Sequence, residues 1–101
     1  MTESTLRLIE AIKAIPEGRV STYGGIATRA GLPNGARQTV RVLHSMSEKH
    51  NLPWYRILRA DGSIALEAGA GLEVQIKLLK KEGVKVSKEG RVDLKKYLWV
   101  E

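Results

Sequence analysis

The chain contains no cysteine. That absence excludes disulfide staples, cysteine-rich zinc sites and thiol chemistry, and removes the commonest route to a redox function. No stretch approaches the roughly 18 consecutive apolar residues of a membrane span. Glu3, Glu10 and Lys13 interrupt the N-terminal apolar pattern, so it lacks the unbroken core of a signal peptide. Repeats, low-complexity tracts and linkers are absent too. The expectation is one soluble, intracellular domain over residues 1–101, cytoplasmic or, in a eukaryote, nuclear. No membrane, metal or cofactor is expected, and the chain is expected to be a monomer. A hydrophobic content of 43% is ordinary for a globular fold, which must then rest on packing alone.

Acidic residues are scarce in one region only. The chain has 17 Lys and Arg against 11 Asp and Glu, a net charge of +6. Between Arg19 and Arg59 seven bases (Arg19, Arg29, Arg37, Arg41, Lys49, Arg56, Arg59) face one acid, Glu48. The remaining sixty residues hold ten of each sign, so the whole excess lies in that segment. Six of its bases are arginine, whose planar fork matches phosphate oxygens. A polyanion-binding face is the sharper reading and a solubilising surface the plainer one.

Ser4 or Thr5 is expected to cap a first helix with Leu6, Ile9, Ile12 and Ile15 at near-helical spacing, stopped by Pro16 and Gly18. Arg19 to Ser21 reads as a short extended bridge. Ser21 or Thr22 starts a second helix over residues 23–30, ended by Gly31; Gly24 and Gly25 leave its first turn bare. Asn34 is expected to cap a third helix over about residues 35–47. The short glycine-containing connection is that of a helix-turn-helix. Residues 55–58 and 63–66 suggest one hairpin, and residues 84–86 with 91–92 another. Leu72, Ile76 and Leu79 mark a fourth helix stopped by Gly83, and residues 93–99 a closing helical turn. The predicted class is mainly α with short β elements, a winged-helix-like DNA-binding domain containing a helix-turn-helix.

In the third helix, Ala36, Val40 and Leu43 are expected to face the core. Arg37 and Arg41 are four apart and share a face. Gly35 and Ala36 keep the first turn small, and a helix N-terminus favours phosphate. This is the form of a recognition helix entering a DNA groove.

Three segments point to a family: residues 15–27 (IPEGRVSTYGGIA), Ala36-Arg37, and residues 53–57 (PWYRI). The sequence resembles the C-terminal DNA-binding domain of O6-alkylguanine-DNA alkyltransferases, and more closely the alkyltransferase-like proteins, over nearly its whole length. Where the alkyltransferases carry Pro-Cys-His-Arg, this chain has Pro53-Trp54-Tyr55-Arg56. Transfer needs a cysteine thiolate readied by a base. The Trp54 indole N–H is only a donor, and a tyrosine with a pKa near 10 is a poor base. Glu82 matches the acid that supports the family's histidine, and His44 and His50 have no nucleophile beside them. No catalytic residue is therefore assigned.

What the resemblance implies is binding. O6-alkylguanine lies stacked in the duplex and must be extruded to be read. Tyr23 would press on the 3′ phosphate, Arg37 would fill the vacated stack as a finger, and Trp54 would line the pocket of the flipped base. The implied lesion pocket comprises Tyr23, Pro53, Trp54, Tyr55 and Gly69. The implied DNA-binding set is Thr22, Tyr23, Asn34, Gly35, Ala36, Arg37 and Arg41. Arg56 is expected to brace the loop through an internal ion pair. The resemblance thus implies a non-enzymatic sensor that binds double-stranded DNA containing O6-alkylguanine and flags it to nucleotide excision repair proteins. The alternative is a winged-helix transcription regulator that reads undamaged sequence; Gly35-Ala36 offers it few base-reading groups.

Overall fold

The computed structural model describes residues 1–100, so Glu101, the last residue of the expected single domain, lies outside the described residues. Helix α1 (Glu3–Lys13) starts two or three residues earlier than its sequence suggests. Thr2 is its cap, and the Thr2 hydroxyl accepts the Thr5 N–H at 3.1 Å. Leu8, Ile9 and Ile12 face inward from it. Strand β1 (Ser21–Thr22) leads directly into α2 (Tyr23–Arg29), which Thr22 caps by accepting the Gly25 N–H at 3.0 Å.

The turn after α2 is built as expected. Gly31 is left-handed (φ 79°), its N–H reaches the Thr28 carbonyl, and the Leu32 N–H reaches Ala27 at 2.8 Å. This paired closure satisfies two orphan carbonyls of the helix end. Helix α3 (Ala36–His50) follows. Its first residue is preceded by Gly35, and the Asn34 side chain makes no cap bond, contrary to expectation. Gly35 takes the cap position instead, where a Cβ would stand 2.9 Å from both Cβ and O of Leu32. The close crossing of the turn thus fixes Gly35 at the helix start. The helix runs past Ser47 and ends at Asn51, whose φ of 51° is left-handed.

The inward face of α3 differs from the expected one. Thr39 and Val42 are buried, whereas Ala36 is exposed and Val40 is 45% exposed. Thr39 can be buried because its hydroxyl donates to the Gly35 carbonyl at 3.2 Å, leaving its methyl to pack. A pattern built on apolar residues alone rotates the helix by about one position, or roughly 100°.

A 3₁₀ turn (Trp54–Arg56) then leads into β2 (Ile57–Leu58). Strand β2 does not form a hairpin with residues 63–66. It pairs in parallel with β1, Ser21 opposite Ile57 and Thr22 opposite Leu58. Ile57 and Leu58 are both buried, so the interior edge of β1 is their natural partner. The second halves of the two expected hairpins pair with each other instead. The Ile64 N–H reaches the Gly90 carbonyl and the Val92 N–H reaches Gly62, with Ser63 bridging Arg91. Helix α4 (Leu72–Lys81) ends at Gly83 (φ 87°), and α5 (Leu94–Tyr97) closes the chain.

Two apolar clusters result. One joins α1, α2 and α3 through Leu8, Ile12, Ile26 and Val42, with Ile57 below them. The other joins Val20, Leu58, Leu79, Val84 and Tyr97. The strand pair lies between the clusters, and its register holds the start of α2 beside the end of the Trp54–Arg56 turn. The architecture is mainly helical with a small sheet and a helix-turn-helix. Among the described residues no helix is long and apolar enough to cross a membrane.

Candidate nucleic-acid interface

A cavity of about 620 Å³ opens where α2, α3, the Trp54–Arg56 turn and the loop before α4 meet. Its walls are Tyr23, Val40, Leu43, His44, Ser47, Trp54, Arg59, Ala65, Leu66 and Gln75. This is within the usual size range of a small-molecule site, about 300–1,000 Å³, and large enough for a nucleobase with a substituent. Most of the lining is apolar or aromatic. Tyr23 is half-buried at one wall. Burial pushes its phenol above its ordinary pKa, with the nearby Arg59 guanidinium pulling the other way. The hydroxyl is therefore neutral at physiological pH.

Trp54 enters the cavity because the chain behind it is tied down. The Gln75 side chain is buried and donates to the carbonyls of Tyr55 and Ile57 at 3.1 and 3.2 Å. Arg56 donates from Nε to Glu82 at 2.9 Å and from Nη1 to the Ile15 carbonyl at 2.8 Å. Glu82 also accepts the Gly18 N–H at 3.1 Å and the Tyr55 hydroxyl at 3.0 Å. One carboxylate thus joins the turn after α1, the Trp54 turn and the end of α4. Burial alone would raise the Glu82 pKa, but its hydrogen bonds from Arg56, Gly18 and Tyr55 bring it below the ordinary carboxylate value. Arg56 is the internal brace that its sequence context suggests.

The structure brings together only part of the expected pocket set. Tyr23 and Trp54 line the cavity; Pro53, Tyr55 and Gly69 do not. The Tyr55 ring meets Trp54 edge-on, at 5.8 Å between centroids and 87° between planes, and its hydroxyl points to Glu82. Pro53 and Tyr55 border a separate depression with Lys13 and His50. The Gly69 N–H is turned to the Glu73 carboxylate at 3.0 Å, and the loop wall is supplied a few residues earlier by Ala65 and Leu66.

On the outer side, Asn34, Ala36, Arg37 and Arg41 are exposed, whereas Gly35 is buried in the turn. Thr22 serves as the cap of α2. Gly24 has open space where a Cβ would stand, so the first turn of α2 is bare. Gly25 is tight, since its Cβ would meet Thr22 Oγ1 at 3.0 Å. The lining residues missed from sequence on α3 are Val40, Leu43, His44 and Ser47. They recur at helical spacing, but Val40 and Leu43 read as core, and Leu43 does pack against the α1–α3 cluster as well as lining the cavity. Nothing local marks Arg59, Ala65, Leu66 or Gln75. Among the described residues no group of three or more His, Asp or Glu side chains could hold a metal ion.

Comparison with known proteins identifies the family of the chain. The family model for the DNA-binding domain of 6-O-methylguanine DNA methyltransferase matches residues 3–84. A DNA base-flipping protein of Vibrio parahaemolyticus is 39% identical over 99 residues, covering 98% of each chain. A DNA base-flipping protein of Escherichia coli is 44% identical over 93 residues, 92% of this chain and 71% of that protein. Among solved structures, Schizosaccharomyces pombe Atl1 in complex with damaged DNA containing O6-carboxymethylguanine superimposes with a TM-score of 0.89. It is 32% identical, and the match covers 100% of this chain and 98% of that one.

Proposed function

The chain belongs to the 6-O-methylguanine DNA methyltransferase DNA-binding family, on its alkyltransferase-like side, and we propose that it is a sensor that extrudes O6-alkylguanine from duplex DNA into the Trp54 cavity. It does not transfer the alkyl group to cysteine, because it has none. The observation that carries the reading is the cavity between Tyr23 and Trp54, beside a helix that exposes Arg37 and Arg41.

The energetics fit binding without a covalent step. Flipping a base costs a few kcal/mol, less when its pair is already weakened by a lesion. Stacking on an aromatic ring returns about 1–3 kcal/mol per base. Each Å² of alkyl surface buried against Val40, Leu43 and Leu66 adds about 25 cal/mol. Unmodified guanine lacks that last contribution and keeps its full pairing, so the lesion is preferred. In this reading Tyr23 presses on the backbone, Arg37 stacks into the gap and donates to the orphaned cytosine, and Arg41 contacts phosphate. The bound complex marks the site for nucleotide excision repair, at DNA in the cytoplasm or, in a eukaryote, the nucleus.

The test is a titration of two duplexes at one salt concentration, one carrying a single O6-methylguanine and the other guanine at that position. Tighter binding to the lesion is expected. Equal affinity would refute the sensor reading and favour a protein that reads undamaged DNA.

A further inference from the structure

Arg59 is the one arginine among the residues lining the cavity, whose other walls are mostly apolar. It follows β2 directly, and its backbone is fixed on both sides. Its N–H reaches the Ser63 carbonyl at 2.9 Å, and its carbonyl accepts the Gly62 N–H at 2.9 Å. Its side chain has far less to hold it. Nη2 lies 3.4 Å from the Ala65 carbonyl, too long for a strong hydrogen bond, and among the described residues no carboxylate pairs with it. Glu67, further along the same loop, is exposed and is not part of the lining. The contrast with Arg56 is direct, since that guanidinium is held by Glu82 on two nitrogens. Arg59 therefore presents an unneutralised, forked cation to a mostly apolar chamber whose other polar side chains are those of Tyr23, His44, Ser47 and Gln75.

A flipped O6-alkylguanine brings its substituent into this chamber. A neutral alkyl group would meet the apolar wall and leave Arg59 solvated at the rim. A substituent ending in a carboxylate would meet a guanidinium that can donate two parallel N–H bonds to it. Resting on the base-flipping reading above, we infer that Arg59 is a specificity-determining residue that selects O6-carboxyalkylguanine over neutral adducts of the same size. Its place at the rim keeps the cost of desolvating the carboxylate low, because one side of the pair stays in contact with water.

The experiment compares three duplexes carrying, at one position, O6-carboxymethylguanine, O6-carbamoylmethylguanine or guanine. The two adducts are nearly isosteric and differ in charge. The intact protein is expected to bind the carboxymethyl adduct about tenfold more tightly than the carbamoylmethyl adduct at low salt. Arg59→Gln is expected to abolish that ratio while keeping the preference for either adduct over guanine. Arg59→Lys, which keeps the charge and loses the fork, is expected to retain part of it. The inference is overturned if the intact protein binds both adducts equally while preferring them to guanine. It is overturned as well if Arg59→Gln weakens all three duplexes by the same factor, which would make Arg59 a phosphate contact. Equal binding of all three duplexes by the intact protein would refute the base-flipping reading itself, and this inference with it.

Discussion

The Tyr55 hydroxyl donates to the Glu82 carboxylate at 3.0 Å, while Trp54, one residue earlier, faces the cavity. The side chain at the family's histidine position is therefore turned to the internal network, away from the place where a reacting group would sit. Burial, then the hydrogen bond to Glu82, push its phenol above the ordinary tyrosine pKa, with Arg56 opposing.

Restoring a cysteine is accordingly expected not to restore repair. In Trp54→Cys the adjacent position that carries the family's histidine would offer the new thiol no base, since Tyr55 is neutral at physiological pH and bonded to Glu82. Incubation with a duplex carrying labelled O6-methylguanine should leave the protein unlabelled. Methyl transfer by this variant would contradict the assignment of Tyr55.

Glu82→Gln is expected to destabilise the fold by about 3 kcal/mol, because it leaves the partly buried Arg56 guanidinium without its counter-charge. The sign of the pH effect follows from the lowered folded-state pKa of Glu82. Its contribution is fully present above the ordinary carboxylate range and is lost as pH falls through the folded value. Chemical denaturation at neutral pH and at about pH 3 measures this: the gap between wild type and variant should narrow in acid. A constant gap would place the stabilisation elsewhere.

Arg37 and Arg41 should separate by role although both are exposed on α3. Arg37→Ala is expected to reduce the ratio of lesion to control affinity, as a finger that fills the vacated stack would. Arg41→Ala should weaken both duplexes alike and lower the slope of log affinity against log salt by about one. Identical effects of the two substitutions would argue against a finger.

The phase of α3 can be read from two neighbouring valines. Val42 is 5% exposed, so Val42→Ala should cost about 2 kcal/mol of stability. Val40 is 45% exposed and lines the cavity, so Val40→Asp should change stability little while weakening lesion binding. Thermal unfolding with the duplex titration tests both halves. Loss of folding in Val40→Asp would return Val40 to the core.

Much of the local construction follows from the residues themselves. Thr22 caps α2, and Gly31 and Gly83 end their helices in left-handed turns, because these depend on the reach of a hydroxyl and on the absence of a Cβ. The lack of cysteine alone removes alkyl transfer to a thiol. The segments around Tyr23, Arg37 and Trp54 are distinctive enough to indicate the family.

The tertiary structure decided which partners and faces those elements took. Strand β2 is apolar enough for either a hairpin or a buried strand, and the edge offered by Ser21 and Thr22 selected the second. Helix α3 buried Thr39, whose hydroxyl bonds within its own helix, and so turned Val40 outward to the cavity. Arg59, Leu66 and Gln75 reached the same chamber from separate segments. Caps and turns are settled by groups a few residues apart, but a pocket wall is settled by burial between segments distant in the chain, which no local pattern encodes.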